Sequence, residues 1–130
     1  MIGPATDGTL IERLHITWIE ATPERVVAEM PVEGNMQPHG ALHGGATAAL
    51  IESAASLGAD LAAGDDGVAL GIDITVHHLH RVTRGVVTAI ATPLRTGSTI
   101  AVWDVVVRSD DDVQIAAGRC TLAIRRPDRS

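Results

Sequence analysis

The 130-residue sequence predicts a single α+β domain in which a curved antiparallel sheet of about six strands wraps around one long helix. Two observations predict it. From about His43 to Ala63 the residues are almost all Ala, Leu, Ile, Ser and Gly, and Gly64-Asp65-Asp66-Gly67 supplies a stop signal. Ala48, Ala55 and Ala59 lie near Glu52 while Leu50, Leu57 and Leu61 point elsewhere, so apolar residues cover most of this helix and it must be largely enclosed. After it come four segments of strand composition: Ala69 to Arg81, Gly85 to Arg95, Thr99 to Arg108 and Val113 to Arg125. Their links, Val82 to Arg84, Thr96 to Ser98 and Ser109 to Asp112, are too short for parallel crossovers, which makes the strands antiparallel neighbours. A helix that is apolar nearly all round is hidden beside such a sheet only if the sheet curls around it.

Ahead of the helix, Leu14 to Glu20 and Arg25 to Val32 are β-branched stretches separated by the turn-like Ala21-Thr22-Pro23-Glu24, and read as a strand pair. Gly34 to Gly40 is a loop, and Pro38 biases Gln37 toward an extended conformation, so the helix starts only after it. Met1 to Thr9 and Pro127 to Ser130 read as irregular ends. No linker, repeat or low-complexity segment divides the chain, so residues 1–130 are expected to form one domain.

Composition narrows the partners. A hydrophobic content of 45% is enough for one core, and the formal charge of −6 comes with no basic run longer than Arg125-Arg126. Nucleic acid and anionic membranes are therefore not expected partners. Trp18 and Trp103 are the only aromatic residues, so platforms for base stacking are missing as well. Cys120 is the single cysteine, which excludes an internal disulfide and a cysteine-based zinc cluster and points to a reducing, cytoplasmic location. No signal-like or membrane-length apolar run is present.

The chemistry-bearing stretch runs from Asn35 through Gln37, His43-Gly44-Gly45-Ala46 and Leu50-Ile51-Glu52-Ser53 to Ser56. A helix N-terminus carries unpaired N–H groups and a partial positive charge, a natural place to stabilise an oxygen that becomes negative in acyl transfer. Glycine lets a ligand approach that backbone; equally, two glycines can simply open a tightly packed helix. Glu52, flanked by Leu50, Ile51, Ala54 and Ala55, would carry a desolvation cost if it were partly buried, and that burial would strengthen it as a base or nucleophile. The plainer alternative is a glutamate facing solvent. Gly44 and Glu52 are eight positions apart, which at 1.5 Å per residue separates them by about 12 Å on one helix. They cannot both touch one reacting group, so a joint role requires two subunits with antiparallel helices.

These residues resemble the hotdog-fold acyl-CoA thioesterases, in particular the arm of the hydroxybenzoyl-CoA and 1,4-dihydroxy-2-naphthoyl-CoA thioesterases and the related phenylacetyl-CoA thioesterases. Gly71-Ile72-Asp73-Ile74, His78 to Arg81 and Pro93 to Ser98 extend the resemblance over most of the chain. It implies hydrolysis of an acyl-CoA, with aromatic acyl groups preferred and water as second substrate. Glu52 is then nucleophile or general base, and the Gly44 N–H of the partner subunit polarises the carbonyl. Gln37 orients the carboxylate or the water, His43 bonds the carbonyl or the departing thiol, and Ser56 helps to position them. Gly45, His78, Arg81, Arg95, Gly97 and Ser98 fall where the family holds substrate, with His78, Arg81 and Arg95 near the CoA nucleotide. This chain has His80 and then Arg81 where relatives more often show arginine first. No cofactor is implied, since CoA is part of the substrate, and the unit is a homodimer, with a dimer of dimers as the expected tetramer.

Each weaker assignment has an ordinary counterpart: Gln37 as a loop amide, Ser56 as a helix serine bonded to its own backbone, His43 as the residue that fixes the helix start. His78 and His80 would share one side of a strand, but no carboxylate or third histidine supports a metal site there. Asp110-Asp111-Asp112 lacks the glycine and glutamate of a calcium loop and reads as a hairpin turn. Two other functions fit the same residues: a hydratase or dehydratase acting on an acyl thioester, and a non-catalytic acyl-CoA-binding domain.

Overall fold

A computed structural model of the chain describes residues 3–127. Residues 1–2 and 128–130, part of the ends expected to be irregular, lie outside it. The elements are α1 (Leu10–Arg13), β1 (Thr17–Thr22), β2 (Arg25–Pro31), α2 (Gly44–Ala63), β3 (Val68–His78), β4 (Val86–Thr96), β5 (Ile100–Arg108) and β6 (Gln114–Arg125). All pairings are antiparallel in one six-stranded sheet of order β1-β2-β4-β5-β6-β3. The sheet curls so that α2 touches every strand. Among the described residues no helix is long and apolar enough to cross a membrane.

Alternation along the strands builds the wall that faces α2. Ala101, Trp103, Val105 and Val107 of β5 point inward, as do Val87, Ala89 and Ala91 of β4 and Val26, Ala28 and Met30 of β2. Many of these side chains are small, so the helix sits close. A methyl group added at Gly118 of β6 would stand 3.0 Å from Ile51 of α2, and one at Gly58 of α2 would fall within the Trp103 ring. The helix ends at Gly64, whose φ of 85° suits glycine. Asp60 Oδ1 accepts the Ala69 N–H at 2.6 Å, tying the end of α2 to the start of β3.

Several boundaries differ from those expected. The first strand begins at Thr17 rather than Leu14, because Leu10–Arg13 forms a short helix capped by Thr9 and His15 then turns the chain with φ of 58°. Its four residues bury nothing, so no apolar periodicity announces it. The third strand stops at His78 rather than Arg81: the Leu79 and His80 N–H groups both go to the Ile115 carbonyl, which bends the chain off the sheet. His80 therefore does not share a strand face with His78. The helix is covered on its sheet side only; Gly45 and Glu52 are exposed, and Ala49, Ser56 and Asp60 half-buried, in a single copy.

Two outcomes follow from this packing. Gly58→Ala gains about 1 kcal/mol of helix propensity but over-packs Trp103 at a cost of about 1–3 kcal/mol, so its urea midpoint is expected to fall below wild type. The second concerns Cys120, fully buried between Trp103 and Ile74. Its thiol is pushed up to about 11, first by burial and then by the negative charges of Glu52 and Asp73. Between the ordinary thiol value and this raised one, only the unfolded chain releases the proton, so stability is complete below about pH 9 and declines toward pH 11. The chain contains no Lys and no Tyr, which leaves Cys120 the side chain that titrates in that window. Urea unfolding measured from pH 8 to 11 should show this decline in wild type and lose it in Cys120→Ala.

Candidate functional site

The start of α2 is held from below by Asn35. This side chain is buried, and its Nδ2 donates to the carbonyls of Leu14 at 2.8 Å and Pro31 at 2.9 Å, while the backbone carbonyl of Asn35 accepts the His43 N–H at 2.9 Å. His43 is the N-cap: its Nδ1 accepts the Gly45 N–H at 2.8 Å, and its carbonyl accepts from Ala46 and Thr47. Because Nδ1 is the acceptor, the neutral ring carries its hydrogen on Nε2, where it is a donor. Of the four N–H groups that open the helix, that of Gly44 has no acceptor among the described residues. Gly44 also lies under the His78 ring, since a methyl there would stand 3.0 Å from its Nε2.

The adjoining loop is self-contained. Gln37 donates its N–H to the Ala41 carbonyl at 2.8 Å, and its side-chain oxygen accepts from the His39 N–H. Arg81 reaches back to the His39 carbonyl at 2.7 Å. The structure thus brings Gln37, His43, Gly44, Gly45, His78 and Arg81 to one end of the protomer.

Glu52 lies two turns further along α2, with its carboxylate against the backbone of Gly71 on β3; a methyl at Gly71 would collide with Glu52 Oε2. It is exposed in the single copy, so the partial burial expected for it is not provided by its own chain. Ser56 joins Glu52, Ser53 and Asp60 along a groove of about 300 Å³ on the flank of α2. Arg95, Gly97 and Ser98 lie elsewhere, at the β4–β5 turn. That turn borders Ala123 to Arg125, the end of β6 beside Val68, whereas His78 pairs with Ala116 at the other end. Ten residues of extended chain separate these two ends by about 30 Å.

Sequence reasoning missed Asn35 as the support of the helix start and Gly71 as the seat of Glu52. A glycine inside a strand is the signal that marks a close approach, and it was available for Gly71. Asn35 carries no comparable mark, because a loop asparagine reads the same whether or not the fold buries it, and its bond to Leu14 spans a long stretch of chain. Among the described residues no group of three or more His, Cys, Asp or Glu is arranged to hold a metal ion.

This arrangement matches known proteins. The sequence model of the thioesterase superfamily matches residues 39–116, more than half of the chain. The chain is 30% identical over 118 residues to a 1,4-dihydroxy-2-naphthoyl-CoA hydrolase of Listeria monocytogenes, covering 90% of this chain and 96% of that one. It is 32% identical over 118 residues to the proofreading thioesterase EntH of Cronobacter sakazakii, covering 90% and 86%. The crystal structure of a thioesterase from Haemophilus influenzae superposes with a TM-score of 0.88 at 34% identity, over 92% of this chain and 85% of that one. The helix enclosed by a curled sheet and the capped glycine start of that helix thus have a common explanation: the chain belongs to the thioesterase superfamily and is a thioester hydrolase with the hotdog fold.

Proposed function

We propose that the chain hydrolyses an acyl-CoA, aromatic acyl groups foremost, at a site shared between two copies, with Glu52 of one copy facing the start of α2 of the other. The observation that carries this reading is the Gly44 N–H, left without an acceptor at the electropositive tip of α2 while its neighbours are capped. The thioester carbonyl accepts from that N–H and from His43 Nε2, so negative charge developing on the oxygen meets two fixed donors. Glu52 either attacks the carbonyl carbon or takes a proton from the attacking water, and the thiol of CoA leaves. Ser56, one turn beyond, positions the carboxylate or the water, and Gln37 orients the reacting group from the loop. Two crystal structures of one Staphylococcus aureus relative carry, respectively, a glutamine and a glutamate replaced by alanine. These are fifteen positions apart, the separation of Gln37 and Glu52 here.

Reacting groups must come within about 3–3.5 Å, and eight helical residues keep Gly44 and Glu52 of one chain about 12 Å apart. The second copy resolves this. β3 is an edge strand with an unpaired side, and its Leu70 and Ile72 are 48% and 57% exposed. Antiparallel pairing of two β3 edges would cover them and lay the two α2 helices side by side in opposite directions. The same pairing brings the Arg95, Gly97 and Ser98 turn of one copy toward the His78 and Arg81 end of the other, where together they hold the CoA phosphates.

The first experiment follows thiol release from a panel of acyl-CoAs with a disulfide reagent. Wild type should release thiol; hydrated product without free thiol would instead indicate a hydratase. Glu52→Gln should lower kcat by a factor of about 10²–10⁴ with the fold and oligomer intact, and normal turnover would refute the role of Glu52. Mixing inactive Glu52→Gln with inactive Gly44→Val should restore about a quarter of wild-type activity, because half of the two-fold dimers are mixed and each has one intact site. Absence of rescue in co-expressed mixed dimers would overturn the shared site. Sizing of the wild type should give two or four copies, and a monomer would overturn the shared site.

A further inference from the structure

The start of α2 has two unlike sides. On one stand His78 and Arg81, at the end of β3 and just beyond it, by one edge of the sheet. On the other, beside α1, which leads into β1 at the opposite edge, lies a pocket of about 340 Å³ walled by Leu10, Leu14, Met36 and Ala49. His43 and Gly45, the neighbours of Gly44, line the same pocket. Among the described residues no Asp, Glu, Lys or Arg lines it, whereas the groove further along α2 carries Glu52 and Asp60. Met36 is 41% exposed and Leu10 58%, so both present apolar surface that the protomer leaves uncovered. The backbone of Met36 is nonetheless fixed: it forms an antiparallel bridge with Leu42, which in turn donates its N–H to the Val82 carbonyl at 2.8 Å. Gln37 follows directly, with its N–H on the Ala41 carbonyl. A held backbone carrying an unbranched thioether side chain suits a wall that moulds itself to an apolar ligand.

We propose that Met36 is a specificity-determining residue of this thioesterase: the acyl chain runs from the helix tip across Met36 into the pocket beside α1, and the CoA arm leaves on the His78 and Arg81 side. The proposal rests on the acyl-CoA reading above and adds the direction in which the substrate lies. A thioester of this kind joins a hydrocarbon to a polyanionic nucleotide, and the two sides of the tip divide those demands between them. Hydrocarbon laid against Met36 and Leu10 is stabilised in proportion to the apolar area it covers. A carboxylate at the far end of the chain would lose hydration there with no cation in the pocket to replace it. The pocket therefore favours acyl groups that are apolar along their whole length and rejects those that end in a negative charge. An acetyl group is too short to reach it.

The test uses the full-length protein, wild type and Met36→Lys, with acetyl-CoA, octanoyl-CoA and octanedioyl-CoA, the last matching octanoyl-CoA in length but ending in a carboxylate. Wild type is expected to show a higher kcat/KM on octanoyl-CoA than on either of the others. Met36→Lys sets a cation on a stem of similar length beside the pocket, and should raise the ratio of octanedioyl-CoA to octanoyl-CoA turnover about tenfold. A ratio unchanged by the substitution, or equal use of octanoyl-CoA and octanedioyl-CoA by wild type, overturns the proposal. Carbon-13 labelling of the methionine methyl groups reads the same contact without turnover. The chain has three methionines, and the signal missing from Met36→Lys belongs to Met36. Octanamide, a neutral stand-in for the acyl group, should move that signal in wild type while acetamide does not; equal shifts, or none, overturn the assignment. If Met36→Lys fails to fold, Met36→Leu identifies the signal and the wild-type titration decides. Failure of wild type to hydrolyse any acyl-CoA would strike the acyl-CoA reading, while the Met36 signal still decides whether the pocket takes a hydrocarbon chain.

Discussion

The close seating of α2 in the concave face of the sheet is the constraint from which the other features follow. With no Phe or Tyr in the chain, the inner wall is built mostly of small residues, alanine and valine foremost, and the helix approaches near enough for Ile51 to touch the backbone of Gly118. Trp103 is the one large ring in that space, and it fits because Gly58 has no side chain. Such complementary packing tolerates neither sliding nor rotation of the helix, since either would drive a side chain into the wall. Glu52 is consequently fixed against Gly71, and the helix tip against His78.

A fixed helix also fixes an electrostatic axis. Its positive end emerges at Gly44, sharpened by a cap that satisfies Gly45 and leaves Gly44 open. Its carboxylates, Glu52 and Asp60, lie along the uncovered flank. The open N–H of Gly44 and the carboxylate of Glu52, the two groups proposed to act on the thioester, are thereby held apart in one chain. Both groups lie on one continuous helix, which keeps them about 12 Å apart, and on the proposed reading the exposed apolar edge of β3 is where a second copy would join them. A shared site of this kind ties activity to assembly.

Asn35 shows how much of a functional centre lies outside the groups that do chemistry. Its amide binds the end of α1 and the end of β2, and its carbonyl receives the residue that caps α2. The end of α1 and the end of β2 are thus tied to the helix start through one residue, by its side-chain amide on one side and its backbone carbonyl on the other.

Much of this was legible in the residues themselves. The long helix, its glycine stop, the short links that force antiparallel strands and the enclosing sheet all follow from local composition and chain length, because helix propensity, turn chemistry and connection length are properties of neighbours in sequence. The chemistry of His43-Gly44-Gly45 and Glu52 was legible for the same reason. The early end of β3, the seat of Glu52 against Gly71 and the bond from Asn35 to Leu14 depend on residues far away in sequence. Only the folded chain decides such contacts, since the free energy that places Glu52 against Gly71 comes from packing between segments that share no local signal.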